Sequence, residues 1–293
     1  VKCAFFFFFF FKMIKINSFN TTITQFPNGE RGYEFAVSDV EHIRLFFKYE
    51  DDKDIFSLIC AAETIYRWNK YAKIELIMPY IPYSRMDRVK KISSAFTLRS
   101  FANVVNNIVK PQYIKCLDVH SDVSLALFDC YVYNFKPQIR FINEKYDKDT
   151  TLIVYPDGNA AKKYKEYLSE FKSISLLKDR DFESGQIAAS VVADSTDLIK
   201  TDTTKFKNAV IVDDLCSKGG TFLKAAENIR KLLELQDLNI DLVVAHCEYN
   251  IFNGQLLSED SPLNGKVYTS DSIINNDCKE PRIVICKDFC LSS

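Results

Sequence analysis

"VIVDDLCSKGGT", residues 210–221, is a β-branched apolar run that ends in two adjacent acids and then turns through two glycines. Phe222, Ala225, Ala226, Ile229, Leu232 and Leu233 follow at helical spacing, so the stretch reads as a buried strand feeding an amphipathic helix. Strand, short loop and helix make up the repeating unit of an α/β fold with a parallel sheet. In open sheets of that kind, ligands bind at the carboxyl ends of the strands. Gly219, Gly220 and Thr221 lie where the helix would present its first N–H groups, a setting that suits phosphate. Asp213 and Asp214 would repel such an anion unless they accept sugar hydroxyls or hold Mg2+ through its waters. The pair therefore points to a sugar phosphate; the alternative is an acidic strand-to-helix turn. The spacing is not that of a Walker loop.

Working outward, the same alternation runs through most of the chain. Strands are expected at 73–80, 113–119, 151–157, 208–214, 241–247 and 282–287, and helices at 54–69, 95–108, 159–171 and 221–236. The charged segment "NEKYDKDT", 143–150, separates an earlier set of alternating elements from a later one. Both sets share the strand-to-loop logic, so two related sheets in tandem are expected, over residues 13–145 and 146–293.

Composition narrows the function classes. The 293 residues carry a formal net charge of -1 with 26% charged side chains, which leaves no basic surplus for a nucleic-acid backbone or an anionic membrane. Small-molecule chemistry fits better. Nine cysteines with no CxxC pair suggest buried thiols in a reducing cytoplasm rather than a disulfide framework or a zinc site. The opening "VKCAFFFFFFFKM" is too short to span a bilayer and lacks a small-residue cleavage site. Residues 1–12 read as a leader upstream of a start at Met13.

Four further stretches stand out, three of them at the ends of expected strands. "MPYIPYSRMDR", 78–88, holds two prolines that exclude helix and an Arg85-x-Asp87-Arg88 cluster; guanidinium forks suit polyphosphate, and a solvated charge cluster is the alternative. In "LDVHSD", Asp118 and His120 close a strand, where an imidazole beside a carboxylate can serve as acid, metal ligand or phosphate partner, or be merely hydrogen-bonded. "YPDGN" puts Asp157 at a strand end, as a metal-facing carboxylate or a helix N-cap. "LLKDRDFESGQ", a polar stretch, offers Lys178 and Arg180 to a charged transition state, or is a solvated loop.

Taken together and in this order, these motifs resemble those of the ribose-phosphate diphosphokinases, also called phosphoribosyl pyrophosphate (PRPP) synthetases. "FPNGE" (26–30) is similar to the family's adenine-side Phe-x-x-Gly-Glu, and "PYIPYSRMDR" to its ATP signature. "DVHSD", "YPDGNAAKKY", "KDR" and "VIVDDLCSKGGT" resemble its metal and triphosphate site, its Ser-Pro-Asp-Gly segment, its mobile catalytic loop and the PRPP loop shared with type I phosphoribosyltransferases. "YTSDSI" (268–273) is similar to its Thr-Asp-Ser-Ile segment. The likeness spans about residues 16–275.

It implies two tandem phosphoribosyltransferase-like domains, each a mainly parallel sheet flanked by helices, in a cytoplasmic homodimer or larger homo-oligomer with the adenine site shared between subunits. It also implies attack of the ribose 1-hydroxyl of ribose 5-phosphate on the β-phosphorus of Mg2+-ATP, giving PRPP and AMP. Phe26 would stack on adenine, Asn28 and Glu30 would contact its edge, and Arg85, Asp87 and Arg88 would grip the nucleotide. His120 with Asp118 would meet metal and triphosphate, and Asp157 a second Mg2+ or the ribose side. Lys178 and Arg180 would stabilise the transition state. Asp213 and Asp214 would hold ribose hydroxyls, and residues Ser217, Lys218, Gly219, Gly220 and Thr221 the 5-phosphate.

Two departures bear on substrate choice. Met86 stands where the family has Gln, and Ser217-Lys218 where it has Asp-Thr, which removes one hydroxyl from the loop and adds an ammonium. The same chemistry on ADP-ribose is therefore an alternative. Others are a PRPP-using phosphoribosyltransferase, which would need neither the 78–88 signature nor a second domain, and a non-catalytic regulatory homologue.

Overall fold

A computed structural model describes residues 8–9, 14–36, 40–180, 187–194, 202–235 and 237–291, with the backbone alone at 8–9, 177–180 and 187–194. The chain divides into two compact units between Phe135 and Lys136.

The first unit contains β1 (Phe8–Phe9), β2 (Ile14–Ile16), β3 (Phe19–Asn20), β4 (Thr22–Gln25), β5 (Arg31–Glu34), β6 (His42–Phe47), α1 (Asp52–Trp68), β7 (Lys73–Ile77), α2 (Thr97–Val104), β8 (Tyr113–Leu117), α3 (Val123–Ala126) and β9 (Tyr131–Phe135). Its main sheet has the order β3-β2-β6-β7-β8-β9, parallel from β6 to β9 and antiparallel at the β2 and β3 edge. Alternate sheet residues Ile43, Leu45, Phe47, Ile74, Leu76, Ile114 and Cys116 share one apolar cluster with Leu58, Ala61, Ala62 and Ile65 of α1 and with Leu98, Phe101 and Ala102 of α2. The two-residue period of a strand puts those side chains on one face, where the 3.6-residue stripes of the helices cover them. β1, β4 and β5 form a separate antiparallel sheet.

The second unit contains α4 (Pro137–Lys145), β10 (Thr151–Tyr155), α5 (Gly158–Tyr164), β11 (Lys172–Arg180), β12 (Ile187–Asp194), β13 (Asn208–Cys216), α6 (Gly220–Leu233), β14 (Asn239–Cys247), β15 (Val267–Thr269) and β16 (Ile283–Ile285). The sheet order is β12-β11-β10-β13-β14-β15-β16, parallel except for the β11–β12 hairpin. Both faces of this sheet are buried. Ala209 and Ile211 pack with Phe222, Ala225 and Ile229 of α6, whereas Val210 and Val212 pack with Ile142 of α4 and with Ala160 and Tyr164 of α5. Continuous apolar strands such as β10 and β13 follow from that double coverage.

The division falls ahead of the charged 143–150 segment because α4, which starts with Pro at its first turn, packs on the second sheet through Ile142 and Tyr146. A buried carboxylate pins it there: Asp241 accepts from Tyr146 Oη at 2.7 Å, from Asn239 Nδ2 at 2.9 Å and from the Lys266 N–H at 2.7 Å. The helix expected at 159–171 closes at Tyr164 and continues as turns. Among the described residues, no helix is long and apolar enough to cross a membrane.

Candidate functional site

The expected nucleotide residues gather at two places in the first unit. Phe26, Asn28 and Glu30 occupy the turn between β4 and β5, closed by Phe26 N–H to Glu30 O at 2.8 Å and Gly29 N–H to Phe26 O at 2.9 Å. Gly29 has φ +92°, a left-handed conformation that glycine adopts without steric cost. Asn28 Nδ2 donates to Glu30 Oε2 at 2.8 Å, so the two polar side chains hold each other in place. The Phe26 ring is 40% exposed beside them. At the base of the hairpin, Arg31 pairs with the fully buried Asp54 at 3.1 Å, and Asp54 also accepts the Glu50 and Asp51 N–H groups as part of the α1 capping box.

The second place is the loop after β7. Pro79 and Pro82 keep it out of helix, and Tyr83 takes φ +62° before a turn in which Met86 N–H donates to Tyr83 O at 2.8 Å. Asp87 is buried and binds Arg88 through both oxygens, at 2.7 and 2.9 Å. The hydrogen bond from Arg88 chiefly, then Ser121 and the charge of His120, hold its carboxyl down at about 2 against the cost of burial. Asp87, Arg88, Ser121 and His120 thus form one cluster, which joins the loop after β7 to the loop after β8. His120 and Arg85 are exposed. Asp118 differs: it is fully buried at φ +25°, where β8 ends, and its N–H donates to Phe135 O at 2.8 Å.

In the second unit the expected sugar-phosphate residues stand at the end of β13. Asp213 Oδ1 accepts the Asp214 N–H at 2.9 Å. Burial first, then the charges of Asp214 and Asp157, push the Asp213 carboxyl well above the usual carboxylate range. Asp157 is also the N-cap of α5, its Oδ1 accepting the Asn159 and Ala160 N–H groups, each at 3.0 Å. The N-cap reading of Asp157 thus holds, and the same side chain adds negative charge beside Asp213.

Gly219, at φ +81°, is the N-cap of α6, and the first helical bond is Leu223 N–H to Gly219 O at 2.9 Å. The N–H groups of Gly220, Thr221 and Phe222 precede that bond, so they belong to the set a helix cannot satisfy internally. Lys218 is exposed beside them.

Several neighbours of this loop escaped the sequence reading. Lys163 Nζ lies 3.5 Å from Asp214 Oδ2. Asn250 Nδ2 donates to Ser217 Oγ at 3.1 Å, and the Glu248 N–H donates to Cys216 O at 2.8 Å. A Cβ on Gly254 would fall 2.0 Å from Lys218 O, and one on Gly219 would fall 2.6 Å from Leu256. The 217–221 loop thus rests on the 248–256 segment with no room between. Glycine at 254 is a sequence signal for close backbone approach, but its partner is not readable from spacing.

Lys178 and Arg180 fall where only the backbone is described. They lie on β11, not in a loop: Asp179 is in register with Ala188 and Arg180 with Ile187 of β12. The register with β12 shifts between Leu177 and Asp179, so the backbone at Lys178 sits at an irregularity of the ladder. The apolar "IAASVVAD" of β12 supplies the pairing strand that extends β11 this far. Residues 181–186, the rest of the expected mobile stretch, lie outside the described residues.

Among the described residues, no three His, Cys, Asp or Glu side chains converge as a metal cage. Mg2+ does not need one, since it keeps several waters and takes one or two carboxylates plus substrate phosphates. Of the residues expected at the metal, Asp157 adds its charge to that of Asp213 and Asp214, a repulsion that a cation would relieve.

No protein-family model matches the chain. In sequence it is similar to the ribose-phosphate pyrophosphokinase of Pyrococcus furiosus, 28% identical over 215 residues that cover 73% of this chain and 74% of that protein. The ribose-phosphate pyrophosphokinase of Thermococcus kodakarensis is 29% identical over 215 residues, 72% of each chain. In fold it is similar to the phosphoribosylpyrophosphate synthetase from Mycobacterium smegmatis, with a TM-score of 0.68 and 20% identity, covering 91% of this chain and 85% of that one. Each sequence match is longer than either structural unit and so crosses the division between them. The chain is thus similar in sequence to ribose-phosphate pyrophosphokinases over nearly three quarters of its length, and in fold to a phosphoribosylpyrophosphate synthetase.

Proposed function

We propose that this chain transfers the diphosphoryl group of ATP to the 1-hydroxyl of ribose 5-phosphate, releasing AMP and giving phosphoribosyl pyrophosphate. The observation that carries the reading is the end of β13, where two adjacent carboxylates stand before the open N-terminus of α6. Backbone N–H groups there suit a 5-phosphate, and the carboxylates suit the ribose hydroxyls next to it. A carboxyl raised by burial and by like charge, as at Asp213, has the most to gain from neutral hydroxyl donors or a cation.

The Phe26 platform, with Asn28 and Glu30 locked together, is suited to adenine, and Arg85, Arg88 and His120 to its phosphates. Asp118 and His120 would meet the Mg2+ that accompanies the triphosphate, and Asp157 would serve a second Mg2+ or the ribose side. Bound there, Mg2+ neutralises charge on the transferring group. In the transfer, the ribose 1-hydroxyl gives its proton to solvent and its oxygen bonds to the β-phosphorus while the bond from that phosphorus to the α,β-bridging oxygen breaks, and AMP leaves with the electron pair. Lys178 and Arg180 would stabilise the charge that spreads over the transferring oxygens. Assembly as a cytoplasmic homodimer or larger homo-oligomer belongs to the same reading.

The test is AMP release from Mg2+-ATP with ribose 5-phosphate as acceptor. Turnover supports the reading, and an inert mixture with an active control enzyme overturns it. The exposed ammonium of Lys218 beside the phosphate loop favours one second reading, an acceptor with two phosphates such as ADP-ribose. Offering it in parallel separates the two, since only that reading expects ADP-ribose to turn over while ribose 5-phosphate does not.

A further inference from the structure

We infer that Lys163 is a positioning residue of the sugar-phosphate site, which holds Asp214 in the orientation that accepts a ribose hydroxyl. The inference rests on the reaction proposed above.

Adjacent residues of a strand point to opposite faces of the sheet. On β13, Ala209 and Ile211 face α6, while Val210 and Val212 face α4 and α5. Continuing the alternation puts Asp213 on the α6 side, and Asp214 on the α5 side. Asp213 is anchored by accepting the Asp214 N–H. The corresponding anchor of Asp214 is an ammonium: Lys163 Nζ stands 3.5 Å from Asp214 Oδ2.

Lys163 comes from the last turn of α5, the helix that Asp157 caps at its other end. That one short helix therefore contributes a negative group to the Asp213 side of the cluster and a positive group to the Asp214 side. The Lys163 side chain is 21% exposed and the Asp214 side chain 10%. Solvent screens a pair so enclosed less than it screens a surface ion pair. Three carboxylates beside a dianionic phosphate would repel it; a fixed ammonium offsets part of that charge and keeps one carboxylate turned to the sugar. Lys163 touches Asp214 and is not placed on the transferring atoms, so its effect belongs in acceptor binding, not in the transfer step.

The test compares wild type with Lys163→Met, Lys163→Gln, Lys163→Arg, Asp214→Asn and the Lys163→Met/Asp214→Asn double variant. Lys163→Met should raise KM for ribose 5-phosphate about tenfold with KM for ATP and kcat nearly unchanged, the mark of lost ground-state binding. Lys163→Arg should restore most of it, and the double variant should be no worse than Asp214→Asn alone, as for two residues acting as a unit. Lys163→Gln repeats the comparison if the Met variant folds poorly. An unchanged KM for ribose 5-phosphate, an equal rise in KM for both substrates, or multiplicative effects in the double variant overturns the inference. If wild type releases no AMP, the proposed reaction fails, and calorimetric titration of ribose 5-phosphate decides this point separately. Weaker binding by Lys163→Met then supports the positioning role; unchanged binding, or none by wild type, overturns it.

Discussion

Burial, Asp214 and Asp157 together push the Asp213 carboxyl above the usual carboxylate range. An acid of that kind keeps its proton longer in the folded chain than in the unfolded one. Its contribution to stability is therefore lost as pH rises from the unfolded value of about 3.9 through the raised folded value. Asp213→Asn removes the ionisation, so the ligand-free variant should melt above wild type at pH 7, by roughly 2–4 °C for each kcal/mol relieved, with the gap closing near pH 3. The same variant should lose affinity for ribose 5-phosphate. A melting temperature at or below that of wild type at pH 7 would count against the charge cluster. Asp87 has the opposite sign: Arg88 holds it down at about 2, so its contribution is present above pH 3.9 or so and is lost as pH falls through about 2. Both aspartates were legible as candidates from their place after a strand. Lys163 was not, because a lysine in a run of lysines on a short helix carries no mark of the carboxylate it meets.

At the scale of elements, two supports carry the candidate sites. The first is the 248–256 segment beneath the phosphate loop. Gly254→Ala places a methyl 2.0 Å from Lys218 O, where only a backbone shift can make room. A shift of that order at a binding loop costs up to about a hundredfold. Calorimetry should show a large loss of affinity for ribose 5-phosphate and none for ATP; unchanged affinity for the sugar would show that the loop does not depend on this seat. The second support is the Arg31–Asp54 pair under the β4–β5 hairpin. Arg31→Met leaves Asp54 buried with only its backbone donors, and urea denaturation should show a loss of about 3 kcal/mol, the low end for stripping one partner from a buried pair. Nucleotide affinity should fall with it, since the hairpin carries Phe26; a stability change under 1 kcal/mol or so would mean the pair is dispensable. The hairpin itself was not readable as strands, because "TITQ" and "RGYE" are short and mostly polar. β9, "YVYNF", was hidden for a related reason: its rings are largely exposed, so it lacks the apolar run that marked β10 and β13.

At the scale of the whole molecule, each unit has its own core. The second buries apolar clusters on both faces of its sheet, and among the described residues none of the first unit belongs to either cluster. Residues 136–290 expressed alone should therefore fold cooperatively, bind ribose 5-phosphate by calorimetry and release no AMP from ATP. Failure to fold would show that the two cores are not independent. Two kinds of fact meet here, and they have different sources. The alternation of the buried strands with their helices, and with it the α/β class and the family motifs, was legible in the sequence alone. Apolar runs and glycine turns act over a few residues and leave a periodic trace. Which groups surround the two acids of β13 was decided only by the tertiary structure. Lys163 reaches Asp214, Asn250 reaches Ser217 and Gly254 lies against Lys218 across gaps in the chain far longer than any helical or strand period. Contacts of that range follow from how α5 and the 248–256 segment pack beside β13, and packing leaves no local pattern in the sequence.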